Sequence, residues 1–137
     1  MNRSLYLGAH GVLLCFDLTD KLRVEDIDQW KDQVRENAGQ GCSILIVGTK
    51  NDGNIVPETR TTLIQYANNN HFNFIETSAL LGTNVKEAFI KIVDEIEKNY
   101  KITSLEEGED EAPRRSMSLS ADKFQDNNAP IKVGCCG

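Results

Sequence analysis

The chain has 137 residues, of which 39% are hydrophobic and 26% are charged, as is usual for a soluble globular domain. This length fits one modest domain with a short tail. The formal net charge of −6 argues against a nucleic-acid partner, since such proteins use clustered Lys and Arg to contact phosphates. The longest apolar run, residues 12–16, is too short to cross a bilayer, and residues 1–7 lack the apolar core of a signal peptide. We expect a cytosolic chain unless something anchors it.

The four cysteines do not have the spacing of a disulfide framework or of a zinc site. Cys15 and Cys42 lie in or beside apolar runs, whereas Cys135 and Cys136 are adjacent near the end of the chain. There is no CxxC pair, and the two histidines lie far from any second group of ligands. Neither disulfides nor bound zinc is therefore predicted.

Three short apolar runs predict the strands of the fold. They comprise residues 12–16, 44–47 and 72–75, and segments with polar or helical patterns separate them. Strands that alternate with helices indicate a parallel sheet. The first two runs are almost continuously apolar, as expected of strands covered on both faces. The sequence thus predicts an α/β fold with three parallel strands and three helices.

The first helix is predicted at residues 22–38, after an N-cap provided by Thr19 and Asp20. Apolar residues recur along one side of it at helical spacing, namely Val24, Ile27, Trp30 and Val34. Gly39 and Gly41 follow and can adopt the backbone conformations that end a helix.

Pro57 suits the first turn of a second helix, which is predicted to bury Leu63, Tyr66 and Ala67 and to end within residues 68–70. Asn84 and Glu87 have the spacing of a capping box at the start of a third helix. The third helix carries an apolar stripe formed by Val85, Ala88, Phe89, Ile92, Val93, Ile96 and Tyr100.

From residue 101 onward the apolar periodicity is lost. Acidic residues come first, and a stretch rich in Ser, Asn and Pro follows. Such a composition is typical of a disordered linker. We therefore predict one domain at residues 1–100 and a disordered tail at residues 101–137.

Three segments resemble those of Rab-type small GTPases, which belong to the Ras superfamily. Residues 8–20, GAHGVLLCFDLTD, resemble the segment that follows switch II. Residues 47–52, VGTKND, resemble the guanine-recognition motif N/T-K-x-D, and residues 76–80, ETSAL, resemble the second such motif, E-T/A-S-A-K/L. The resemblance implies the C-terminal half of a P-loop GTPase (Rossmann-like) fold that binds GTP and GDP.

Both motifs follow predicted parallel strands, so they are expected at the edge of the sheet where ligands bind. A carboxylate at Asp52 can accept two hydrogen bonds from adjacent N–H groups of guanine, a pair that adenine lacks. The resemblance further implies that the stem of Lys50 covers the base. It also implies that Ala79 offers its backbone N–H to the guanine oxygen and that Ser78 shapes the turn.

Two positions depart from the usual Rab pattern. Thr49 replaces the common Asn, and Leu80 replaces the Lys that commonly follows Ser-Ala; both residues occur in Rho-type relatives. Two alternatives stay open at this point. The first motif could be a polar turn of any α/β protein, or the chain could be another kind of nucleotide-binding domain without guanine preference.

The sequence lacks the phosphate-binding motifs of these GTPases. The sequence contains no GxxxxGK[S/T] loop and no DxxGQ segment, which supply phosphate and Mg²⁺ contacts in such proteins. We expect no GTP hydrolysis by this chain alone, no Mg²⁺ ligands, and an unpaired edge on its first strand. A fragment or truncated gene model explains this best, although a degenerate paralogue or one part of a split protein is also possible.

The final residues Cys135, Cys136 and Gly137 resemble the double-cysteine ends of Rab proteins. An escort protein and a transferase attach two geranylgeranyl groups to such ends, and two lipid chains give stable membrane anchoring. Residues 101–137 hold five basic and seven acidic residues, so electrostatic attraction to anionic lipid is not expected to help. The alternative is an exposed thiol tail.

These features together predict a switch of vesicular membrane traffic on the cytoplasmic face of intracellular membranes and in the cytosol. In that interpretation the complete protein selects effectors according to its bound nucleotide. The alternative function is a non-catalytic prenylated module that competes for escort protein or effectors.

Overall fold

The computed structural model describes residues 3–106 and 132–136. After a short 3₁₀ turn at Arg3–Leu5, this part of the chain forms four strands and three α-helices. In chain order they are β1 (Ala9–Asp17), α1 (Val24–Ala38), β2 (Ser43–Thr49), α2 (Pro57–Asn69), β3 (Asn73–Glu76), α3 (Val85–Glu106) and β4 (Lys132–Cys136). The strands pair in parallel in the order β3-β2-β1-β4. The predicted α/β fold with a parallel sheet is confirmed, with one strand more than predicted.

The three predicted strands are present, and β1 and β2 are longer than the apolar runs that predicted them. Their pairing continues from Gly11 opposite Ser43 to Asp17 opposite Thr49. Six consecutive residues of β2 are buried, because helices cover both faces of the sheet at this strand.

The two faces of the sheet form separate apolar clusters. One face packs against α1 and α2, whose buried residues include Ile27, Val34 and Leu63. Tyr66 and Ala67 are buried there as well, so the predicted buried side of α2 is confirmed. The opposite face packs against α3 through Ala88 and Ile92. Alternate residues of β1 and β2 contribute to the two clusters, as the period of two in a strand requires.

The predicted N-cap of α1 is wrong. Its N-cap is Arg23, not Thr19 or Asp20, because Thr19 is engaged elsewhere: its backbone N–H and hydroxyl donate to the Asp17 carboxylate at 2.8 and 2.6 Å. At the actual start, Asp26 accepts hydrogen bonds from the backbone N–H and the guanidinium of Arg23. The helix ends before Gly39, whose φ of 89° supports its predicted role.

The predicted tail is only partly described. Residues 107–131 lie outside the described part of the chain, so the linker prediction there stays a prediction. Residues 101–106 continue α3, and 132–136 form β4. Neither this extension of α3 nor the strand β4 was predicted from the sequence. No helix in the described ranges is long and apolar enough to span a bilayer.

β4 lies against the edge of β1 that the sequence led us to expect would be unpaired. It pairs in parallel from Lys132 opposite Ala9 to Cys136 opposite Leu14, with a register shift between Ala9 and Gly11. Strand pairing satisfies backbone N–H and C=O groups of β1 that an open edge would leave exposed. The prediction of an open edge is therefore wrong for this structure.

Candidate functional site

Two loops leave the carboxyl ends of neighbouring strands and carry the sequence-predicted site residues. The first follows β2 and turns sharply: Lys50 has a φ of 58°, and the N–H of Gly53 donates to the Lys50 carbonyl at 3.0 Å. The second loop follows β3 and precedes α3. Both lie at the edge where open parallel sheets bind their ligands.

Hydrogen bonds join the two loops directly. The N–H of Asn51 in the first loop donates to the carbonyl of Thr77 in the second at 3.1 Å. The hydroxyl of Ser78 donates to the carboxylate of Asp52. Ser78 has no exposed surface, so it supports Asp52 from behind. These contacts hold the Asp52 carboxylate in one place relative to the second loop.

The second loop is also held internally. Its Ser78 N–H donates to the Thr83 carbonyl at 3.0 Å, and the Ser78 hydroxyl accepts the N–H of Leu81 at 3.1 Å. The side-chain amide of Asn84 donates to the Glu76 carbonyl at 2.9 Å. Asn84 thus ties the start of α3 to the end of β3, while the capping box predicted with Glu87 stays a prediction.

Lys50 makes an ion pair that the sequence did not predict. Its Nζ lies 2.6 Å from Oδ2 of Asp17 at the end of β1. The hydrogen bond from Lys50, helped by those from Thr19, lowers the pKa of Asp17 to about 2. The same contact raises the pKa of Lys50. At neutral pH both groups are charged, and the lysine stem bridges the ends of β1 and β2.

The sign of the linked stability effect follows from the lowered pKa of Asp17. A carboxyl group whose pKa is lowered by folding stabilises the fold at any pH above the pKa that the group has in the unfolded chain. For Asp17 the ordinary value is 3.8. That contribution is lost as pH falls from 3.8 through about 2.

A cavity of about 520 Å³ lies beside these loops. Both predicted motifs contribute to its lining, through Thr49, Lys50, Asp52, Thr77, Ala79 and Leu80. Its remaining walls come from the sheet and α3, through Leu13, Val47, Val85, Ala88 and Phe89, together with Cys15 and Cys135. A flat apolar group with hydrogen-bonding edges suits such a lining.

Five of the six predicted nucleotide-binding residues therefore line one cavity, and the sixth, Ser78, supports Asp52 from behind. Thr49 also holds the strands together, because its hydroxyl donates to the Phe16 carbonyl at 3.1 Å. Leu80 is 81% exposed. Of the predicted lipidation residues, Cys135 is exposed and lines the cavity, and Cys136 pairs with Leu14 through β4.

Asp17 is a site residue that the sequence analysis did not single out. It ends a buried strand at the same sheet edge as the two motifs, and that position was the available signal. Outside the cavity lining, the guanidinium of Arg60 binds both carboxylate oxygens of Glu76 at 2.5 and 2.8 Å, a contact that the sequence analysis did not predict. Within the described ranges, no group of three or more His, Cys, Asp or Glu could hold a metal ion.

Comparisons with known proteins place the chain in a family. Residues 1–98 match the model of the Ras family. The chain is 34% identical over 139 residues to the Ras-related protein YPTC6 of Chlamydomonas reinhardtii, covering 97% of this chain and 63% of that protein. It is 38% identical over 98 residues to the Ras-related protein RabG2 of Dictyostelium discoideum, covering 71% of this chain and 50% of the relative. It is 39% identical over 99 residues to the Ras-related protein rab-11.1 of Caenorhabditis elegans, covering 70% of this chain and 46% of that protein.

The chain thus spans at most about 63% of the length of these relatives. The family match nevertheless covers more than half of this chain and includes both loops of the site. Together with Rab-type relatives that match along nearly its whole length, it shows that the chain belongs to the Ras family, among the Rab-type small GTPases.

Proposed function

We propose that this chain recognises the base of a guanine nucleotide and belongs to a switch of vesicular membrane traffic. One observation carries the proposal: the Asp52 carboxylate is bound by Ser78 and lies with Ala79 and Lys50 in the lining of one cavity. Family membership supports guanine as the base and GTP and GDP as the nucleotides.

In this proposal, Asp52 accepts two hydrogen bonds from the adjacent N–H groups of guanine. Adenine lacks that pair of donors, so binding adenine would leave the carboxylate unpaired inside the cavity. The Ala79 backbone N–H donates to the guanine oxygen, and the Lys50 stem covers one face of the base. Thr49 and Leu80 complete the rim.

The sequence offers no comparable binding site for the phosphates of the nucleotide. Clustered backbone N–H groups and a lysine would be needed to cradle them, and the sequence contains no GxxxxGK[S/T] loop. We expect this chain alone to bind the base weakly and not to hydrolyse GTP. Mg²⁺, which acts through the phosphates in this family, is not expected to strengthen binding here.

For membrane attachment we propose geranylgeranyl groups on Cys135 and Cys136, added with an escort protein and a transferase. The terminal Cys-Cys-Gly sequence supports this assignment, as does the exposure of Cys135. Two such lipids give stable anchoring. The protein would then act on the cytoplasmic face of intracellular membranes and in the cytosol, where effectors bind it.

A change of base preference tests the proposal. Asp52→Asn replaces one acceptor by an amide donor, which can bond to the extra carbonyl oxygen of xanthine. We expect the wild-type chain to bind guanosine roughly tenfold more tightly than adenosine, and Asp52→Asn to favour xanthosine over guanosine, by the energy of about one hydrogen bond. Ligand-observed NMR at millimolar nucleoside measures these weak affinities. Asp94→Asn, which removes an exposed carboxylate of α3, is the matched control and should retain guanosine preference.

Unchanged base preference in Asp52→Asn would contradict the role of Asp52. Failure of every nucleoside to bind would favour the non-catalytic interaction module instead. GDP binding that is micromolar or tighter would refute the expectation that the phosphates lack a site, since such an affinity requires about −8 kcal/mol.

A further inference from the structure

Two cysteines that are 120 positions apart in the chain meet on the surface between β1 and β4. The Sγ atoms of Cys15 and Cys135 lie 3.2 Å apart. Cys135 pairs with Leu13 in the sheet, and Cys15 is two residues farther along β1. Side chains two residues apart on a strand point to the same face, so both thiols lie on the α3 side, where both line the cavity.

The surroundings of the two thiols differ from those of Cys42. Cys135 is exposed and Cys15 is half-buried, so a small thiol reagent can reach the pair. Cys42 is 4% exposed and belongs to the cluster under α1 and α2, on the opposite face of the sheet. Its burial raises its pKa, and a higher pKa lowers thiolate reactivity.

We propose that Cys15 and Cys135 are a redox-sensitive site that forms an intramolecular disulfide with glutathione disulfide or a similar low-molecular-weight disulfide as oxidant. The two sulfurs lie within hydrogen-bond distance of each other but are not joined by a disulfide. A disulfide requires the sulfurs to approach by about a further 1.2 Å, to about 2.05 Å. Cys135 lies opposite Leu13, two positions from Cys15, so closing the bond requires a shift of the β4 backbone along β1 as well as rotation of the Cys135 side chain.

The reaction proceeds by two exchanges. The Cys135 thiolate, having given its proton to solvent, attacks one sulfur of glutathione disulfide and releases one glutathione. The Cys15 thiolate then attacks the Cys135 sulfur of the mixed disulfide and releases the second glutathione. The two protein thiols are oxidised, and one glutathione disulfide is reduced to two glutathione molecules. Excess glutathione or dithiothreitol reverses both steps.

The bond would hold β4 against β1 and occupy the sulfur of Cys135. Lipid attachment requires that sulfur as a thiol, so oxidation and lipidation of Cys135 would exclude each other. This consequence rests on the lipidation we propose above; the disulfide does not.

Peptide mapping of the full chain tests the disulfide. The chain is incubated with glutathione disulfide, alkylated under denaturing conditions and digested with trypsin. Cys15, Cys42 and the terminal pair then lie in separate peptides, residues 4–21, 36–50 and 133–137. We expect 4–21 to be joined to 133–137 and the peptide with Cys42 to be alkylated. The thermal midpoint should rise by roughly 10 °C, as for a bond that closes a long loop.

Cys136→Ser and Cys135→Ser are the matched pair of variants. The first should form the cross-linked peptide as the wild-type chain does, and the second should lose both the cross-link and the thermal shift. A bond from Cys15 to Cys136, a bond between the two terminal cysteines, or only bonds between chains would overturn the inference. Circular dichroism of each reduced variant checks that it folds.

A prenyl-transfer assay separates this inference from the proposed lipidation. If both hold, the oxidised chain resists modification at Cys135 and dithiothreitol restores it at least tenfold. If the cross-link forms but the reduced chain is not prenylated, the disulfide stands and the proposed lipidation fails. If the oxidised, cross-linked chain is prenylated at Cys135, the proposed exclusion is wrong.

Discussion

The two faces of the sheet are covered unequally. Among the residues that the structure describes, the face under α1 and α2 holds a cluster of fourteen buried residues, whereas the face under α3 holds five. On the α3 side, Val85 and Phe89 of the helix stripe stay 37% and 49% exposed, and the cavity lies between that helix and the sheet. The face with less cover is the one that borders the candidate site and the thiol pair.

This difference suggests a division between stability and binding. A close-packed face resists change, because every removed methylene leaves a cavity that the surroundings cannot fill. A face with a cavity already present can relax around a substitution. We therefore expect the same substitution to cost less on the α3 side than on the opposite side.

Adjacent leucines of β1 give the largest expected effect. Leu14 faces α1 and α2 and is fully buried, whereas Leu13 faces α3, is 4% exposed and lines the cavity. We predict that Leu14→Ala lowers the free energy of unfolding by about 4 kcal/mol and Leu13→Ala by about 2.5 kcal/mol. Urea unfolding with equal m-values measures both. Equal losses, or a larger loss for Leu13→Ala, would contradict the comparison.

Two strand glycines test the same difference by adding a methyl group. A Cβ at Gly48 would lie 2.9 Å from Cδ2 of the fully buried Leu18. A Cβ at Gly11 would meet two residues of α3, at 2.7 Å from Cδ1 of the partly buried Ile96 and 2.9 Å from Cγ1 of the buried Ile92. We predict a loss of about 2 to 3 kcal/mol for Gly48→Ala and about 1 kcal/mol for Gly11→Ala, because α3 can move outward. Thermal unfolding measures both losses. A larger loss for Gly11→Ala than for Gly48→Ala would contradict the comparison.

The smallest expected stability effect is at Phe89. Half of its side chain is exposed at the cavity, so we expect Phe89→Ser to cost less than about 1 kcal/mol. The variant should roughly halve the fluorescence of a bound apolar dye, because it removes apolar surface from the cavity. Tyr100→Ser is the control, since Tyr100 is 70% exposed and lies outside the cavity lining. Dye binding that falls equally in both variants would place the dye elsewhere.

The sequence predicted the parts of the fold in which periodicity is strong. Continuous apolar runs predicted β1 and β2, helical spacing predicted α1 and α3, and Pro57 predicted the start of α2. β4 was missed because Lys-Val-Gly-Cys-Cys has neither alternation nor an apolar run, and its pairing depends on the unpaired edge of β1. The start of α1 was misplaced because Asp17 competes for Thr19, a contact between residues that local propensity treats separately.

The candidate site also has features that the sequence predicted and features that it did not. Motif spacing placed Asp52, Lys50 and Ala79 at one sheet edge, and the structure brings them to one cavity. The ion pair of Lys50 with Asp17 and the contact of Cys15 with Cys135 were not predicted. Each joins segments that are distant in sequence, and only the pairing of β1 with its neighbours brings them together.

The most direct test of the account is a guanosine titration of the ¹⁵N-labelled chain, followed by amide NMR. If the two loops form one base-binding site, the amide signals of residues 50–53 and 78–80 will shift together with a single dissociation constant, and adenosine at the same concentration will shift them much less. Shifts confined to one loop, or equal responses to both nucleosides, would contradict guanine recognition by the paired loops.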